Sequence, residues 1–108
     1  MNVKQFIQII KKRPQMYIGD PLNMDYLYHY IGGFMTCNIL NSKDEVDILF
    51  SKCFHGWVRQ YLEKEYELNF ENKAGNYLFY IKSICTDDKQ CIEMFFSLAE
   101  AFFEEQKI

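Results

Sequence analysis

Residues 42–67, SKDEVDILFSKCFHGWVRQYLEKEYE, carry the strongest structural signal in the chain. Ser42-Lys43-Asp44-Glu45 has the form of a capping box, in which the Ser42 side chain takes the Glu45 amide and the Glu45 carboxylate reaches back. Behind it Val46, Leu49, Phe50, Cys53, Phe54, Trp57, Val58, Tyr61 and Leu62 recur at spacings of three and four without a break. That period predicts a helix over about 43–67 with a wide buried stripe. Its far end is acidic, with Glu63, Glu65 and Glu67, and Glu71 beyond.

Toward the amino terminus, Val3, Phe6, Ile7 and Ile10 fall on one face of a helix over 3–12. Lys11, Lys12 and Arg13 suit its negative carboxy-terminal end, and Pro14 stops it. Arg13-Pro14-Gln15-Met16-Tyr17-Ile18-Gly19-Asp20-Pro21 reads as a turn, because each proline biases its predecessor away from helix and Gly19 tolerates positive φ. In this turn Met16 and Tyr17 are expected to pin the first helix to the core, and Arg13 to bond carbonyls or an acidic partner. Asn23 then caps a helix over 24–40, with Tyr26, Leu27, Tyr30, Ile31, Phe34 and Met35 as its apolar side. Gly32-Gly33 weakens its middle and admits a close neighbouring helix.

Toward the carboxy terminus, 69–75 reads as a turn. Tyr77-Leu78-Phe79-Tyr80-Ile81-Lys82-Ser83-Ile84 suits either helix or strand by pattern; a lone strand would have no partner, so a helix is expected. Thr86 caps a last helix whose start is favoured by Asp87 and Asp88. Cys91, Ile92, Phe95, Leu98, Ala99, Phe102 and Phe103 supply its buried face. The expectation is a single all-α domain over 1–108, a bundle of about five helices.

Composition sets the outer limits. The chain has 108 residues, 49% hydrophobic and 25% charged, with 18% aromatics and only 5 Gly and 2 Pro. That excludes a largely disordered chain and argues against a many-turned β design. The net charge of −3 weakens direct nucleic-acid binding as a reading. Residues 1–13 hold four bases and no acid, whereas 14–108 hold 8 bases against 15 acids, so a partner with a basic face is favoured. The opening residues are too polar for a secretory signal and no run is long enough to cross a bilayer, so a cytoplasmic protein is expected. Cys37, Cys53, Cys85 and Cys91 form no CxxC and read as reduced, buried, small hydrophobes. With His29 and His55 they match no zinc spacing, so neither metal nor cofactor is expected.

Catalytic patterns are missing. His29 and His55 have no nucleophile motif beside them and read as ordinary hydrogen-bonded or interface histidines; Gly32-Gly33 falls far short of a phosphate loop. The RPQMYIG stretch of residues 13–19, followed by Leu27-Tyr28-His29, resembles the start of type II topoisomerase ATPase domains. The helix that follows there carries a Glu and an Asn for water and magnesium, whereas residues 30–38 here contain no acid, and the chain is too short for that fold. An enzyme is therefore not expected.

The same turn, with Phe6, the Phe54–Tyr61 helix and the Asp87–Phe103 segment, resembles small bacterial immunity proteins of polymorphic toxin systems, of contact-dependent inhibition and Maf type. The resemblance covers most of the chain, and the RPxMYIG turn is its distinctive part. It implies a cytoplasmic antitoxin that binds and blocks a cognate toxin domain, often a ribonuclease. Acidic side chains can occupy a nuclease's phosphate groove. Two contact patches are expected: Glu63, Glu67 and Glu71 at one end of the long helix, and Asp44 and Asp47, with Glu45, at the other. Arg13, Pro14, Met16, Tyr17 and Gly19 are expected to be structural. The competing reading is a non-catalytic helical adaptor whose Tyr and Phe side chains cover a homodimer face.

Overall fold

A computed structural model describes residues 1–41 and 43–108, with 39–41 described by their backbone. Among the described residues the chain is all-α, with six helices and no strand: α1 (Val3–Lys12), α2 (Pro14–Ile18), α3 (Met24–Asn41), α4 (Glu45–Glu65), α5 (Tyr77–Ile84) and α6 (Asp88–Gln106). The long helix α4 is central and touches α1, α3, α5 and α6; the whole measures 37 × 31 × 21 Å.

The stripe read from 42–67 is the core's spine. Phe50, Phe54, Val58 and Leu62 are buried along α4, and α6 answers with Phe95, Leu98, Ala99 and Phe102. Phe54 meets Phe102 and Phe95 edge-on, at ring centroid distances of 5.3 and 5.9 Å. Such pairs add about 1 kcal/mol each to the area they bury. The 77–84 run is the helix α5, because Asn76 accepts the Phe79 amide as its cap and Tyr77, Tyr80 and Ile81 are buried.

The expected five helices become six because RPQMYIG is not a turn. Pro14 stands at the first position of α2, where its missing N–H is no loss. One turn later Gly19 ends it at φ 97, with Pro21 O 3.1 Å from where a Cβ would lie. The anchor of this segment is Ile18, fully buried; Met16 is 66% exposed and pins nothing, while Tyr17 packs edge-on against Tyr30. Arg13 is exposed and contributes its backbone, whose carbonyl accepts the Met16 N–H.

Other local expectations shift by a residue or a role. The Ser42 half of the capping box lies outside the described residues. Helix α4 is capped by Asp44, which accepts the Val46 N–H at 2.8 Å, and Glu45 is its first helical residue. At α6 the cap is Asp87, not Thr86, whose hydroxyl donates to Gln90 instead. Gly32 and Gly33 are exposed, and nothing lies within 4 Å of where their Cβ atoms would be, so no helix approaches them. Each nevertheless weakens α3 by about 1 kcal/mol relative to alanine. Of the cysteines only Cys91 is buried; Cys85 is half-buried and Cys37 and Cys53 are exposed. The first and last helices also meet, where Lys4 Nζ donates to the Ile108 carbonyl at 2.8 Å.

Candidate functional site

The acidic residues singled out in the sequence divide sharply in the fold. Asp47 is fully buried. Its Oδ1 accepts the Val3 N–H at 2.7 Å and its Oδ2 accepts Asn38 Nδ2 at 2.9 Å. A helix leaves its first N–H groups without partners, so a carboxylate there satisfies a donor and the helix dipole together. Asp47 is thus an internal clasp between α4 and the start of α1, and its expected role as a partner contact is corrected. Asp44 caps α4 and also accepts Asn2 Nδ2 at 3.3 Å.

Glu63 is likewise engaged within the fold. Its carboxylate accepts from Arg59 (2.8 Å), Lys73 Nζ (2.7 Å) and the Phe70 N–H (2.9 Å). The bond from Lys73 holds the Glu63 carboxyl below the ordinary carboxylate range. It fastens the 66–76 loop to α4, and its negative charge is answered by two cations. Of the expected patch, Glu67 and Glu71 remain exposed on that loop. Glu67 lies at φ 51 just past the α4 cap, where the Leu68 N–H closes back to the Glu63 carbonyl. The two expected patches are therefore not assembled as surfaces.

The structure brings together a different acidic face, between the carboxy-terminal half of α4 and the antiparallel α6. Two adjoining hollows of about 260 and 420 Å³ share Tyr66, Met94 and Ser97. Tyr61 and Glu65 border the first; Cys85, Gln90 and Glu93 border the second. Among the described residues two carboxylates, Glu65 and Glu93, line the pair and no lysine or arginine does. Tyr61 and Tyr66 are 37% and 49% exposed. Beside them Trp57 stacks on Tyr61 at 5.0 Å and donates from Nε1 to Glu105 Oε2 at 2.7 Å. Tyr61 belongs to the apolar stripe by spacing, which is why the sequence pattern assigns it to the core; Val58 and Leu62 are buried, while Tyr61 lies at the margin of that stripe and borders a hollow with Met94, Ser97 and Leu98 of α6. The carboxylates of α6 lie outside its buried stripe: Glu93 and Glu105 fall on this side, whereas Glu100 pairs with Lys11 and, with Glu104, faces α1.

The histidines take different positions. His29 is exposed on α3, edge-on to Tyr28. His55 is half-buried; its Nδ1 accepts the Tyr77 N–H at 2.9 Å and its ring stacks on Tyr77 at 5.2 Å. Burial pushes its pKa down, so the neutral ring is favoured. Both border a hollow of about 270 Å³ between α3, α4 and α5. Among the described residues no three His, Cys, Asp or Glu side chains gather so as to hold a metal ion, and no helix is long and apolar enough to cross a membrane. Comparison with protein-family models, with curated proteins and with solved structures gives no match to this chain.

Proposed function

We propose that this chain is an immunity protein, a non-catalytic inhibitor that acts in the cytoplasm by binding a cognate toxin domain. The favoured toxin is a nuclease, blocked at its basic substrate groove or an adjacent exosite. The observation that carries this reading is the α4–α6 face, where Tyr61, Tyr66, Glu65 and Glu93 border hollows that hold no basic side chain. Exposed tyrosines are efficient interface anchors, since they bury much area with few rotamers to freeze. Carboxylates around them that make no ion pair among the described residues speed encounter with a basic surface and penalise acidic competitors. The resemblance of RPQMYIG to the immunity family supports the same reading, and Pro14, Ile18 and Gly19 serve there as framework.

The test is co-expression of the full chain with the toxin domain encoded beside it, reading growth rescue and co-purification. Reversing Glu65→Lys and Glu93→Lys together should slow association by roughly tenfold or more, with the melting temperature unchanged. Full protection by that double variant would remove the face from the interface. Failure of the native chain to rescue growth beside any neighbouring toxin would remove the function.

One observation favours the adaptor reading. Tyr30, Phe6 and Phe34 form a parallel stack, with centroids 5.5 and 4.2 Å apart, and the nearby Met16 and Tyr26 are exposed. A dimer in sedimentation at micromolar concentration, dispersed by Tyr30→Ser, would select it.

A further inference from the structure

We propose that Cys85, Cys91 and Met94 form a binding site for Cu(I), held by two thiolates and one thioether. The three sulfurs meet at the corner where α5 gives way to α6. Cys85 Sγ lies 3.7 Å from Met94 Sδ and donates to it. The Cys91 thiol in turn donates to Cys85, so the sulfurs form one connected run. Among the described residues no three His, Cys, Asp or Glu side chains gather for a metal, but at this corner a thioether completes a pair of thiols.

Local hydrogen bonds fix this corner. Cys85 is the C-cap of α5, and its N–H donates to the Ile81 carbonyl. Asp87 caps α6, and both the N–H and the hydroxyl of Thr86 donate to Gln90 Oε1. Cys91 and Met94 stand three residues apart on α6, hence on one face of it. Two ligands are thus set by one helix and the third by the residue that ends its neighbour.

Access and softness choose the ion. Cys85 and Met94 border the second hollow of the α4–α6 face, of about 420 Å³, while Cys91 lies behind them at 3% exposure. Thiolate and thioether sulfurs are soft donors that select Cu(I) over hard cations, whereas Zn(II) asks for four ligands and takes them from Cys, His, Asp and Glu. Burial keeps both thiols protonated in neutral water, with the Cys91 pKa pushed up to about 11. Such thiols are poor nucleophiles. An entering Cu(I) replaces their two protons, which pass to solvent, and no electron is transferred. Two thiolates around one monovalent cation leave one negative charge, which the positive end of α6 beside Cys91 helps to offset.

The site depends on neither the toxin nor the adaptor reading, and its test needs only the isolated chain. Cys37 and Cys53 are exposed thiols, so the full chain carries Cys37→Ser and Cys53→Ser. It is titrated anaerobically with Cu(I) against a chromogenic Cu(I) chelator. One equivalent should bind, with sulfur alone around the copper in X-ray absorption, and Zn(II) should bind at least about a hundredfold more weakly. Cys85→Ser, at a half-buried position, should abolish that equivalent with the helical circular dichroism unchanged. Met94→Leu keeps the side-chain volume and should weaken Cu(I) by at least roughly tenfold. Nitrogen or oxygen around the copper, Zn(II) bound as tightly as Cu(I), an equivalent retained in Cys85→Ser, or unaltered affinity in Met94→Leu would each overturn the proposal.

Discussion

At the amino-terminal end of α4 Asp44 and Asp47 turn inward, while Glu65 at its far end and Glu93 on the flank of α6 border open hollows. Asp44 and Asp47 meet backbone N–H groups and asparagine amides. Glu65 and Glu93, identical in charge, line open hollows with no ion pair among the described residues. Glu63 sharpens the contrast, since it lies two residues from Glu65 and is drawn in by Arg59, Lys73 and the Phe70 amide. A carboxylate's fate is set by whether an unsatisfied donor lies within reach, and local charge density says little about it.

The comparison breaks most visibly at Asp47. Asp47→Ala leaves the Val3 N–H and the Asn38 amide without partners, which should lower stability by about 3 kcal/mol. In thermal denaturation that corresponds to a fall on the order of 15 °C. The Glu65 and Glu93 reversals should leave the melting temperature in place; a comparable fall there would show the two regions to be alike.

His55 gives a smaller, pH-dependent effect. Its pKa is lowered in the fold, so the unfolded chain binds the proton more readily. Stability from this group is full above about pH 6.5 and declines as pH falls below that value toward the lower folded pKa. A proton on Nδ1 would displace the Tyr77 N–H and loosen the start of α5. His55→Leu should be less stable at pH 7.5 and should flatten the slope below about pH 6.5; an unchanged slope in denaturant titrations would rule this group out. Smallest is Glu67, whose left-handed backbone suits glycine. Glu67→Gly should raise stability by about 0.5–1 kcal/mol, measured as a shift in denaturation midpoint, without altering protection.

The sequence made α1, α3, α4 and α6 legible because apolar residues at helical spacing are the signal that burial itself imposes. Helix α5 was ambiguous at eight residues, and burial of Tyr77 and Tyr80 decides it. The segment Pro14–Ile18 escaped because two prolines read equally as a turn, although proline at the first helical position is itself a start signal. Asp47 escaped for another reason: its donors lie 44 and 9 residues away, beyond the reach of any local pattern. The α4–α6 face was hidden by the regularity that revealed α4, since an unbroken stripe does not say how far toward its edges the neighbouring helix buries it.

The bond from Lys4 to the Ile108 carbonyl joins the chain's outermost helices. Helices α1 and α6 also pack on the same central element, so peeling either one exposes the flank of the other. Trimming a few residues at one tip should therefore make the opposite tip fray in hydrogen exchange, and the molecule should come apart as a unit, with no order of shedding from end to end.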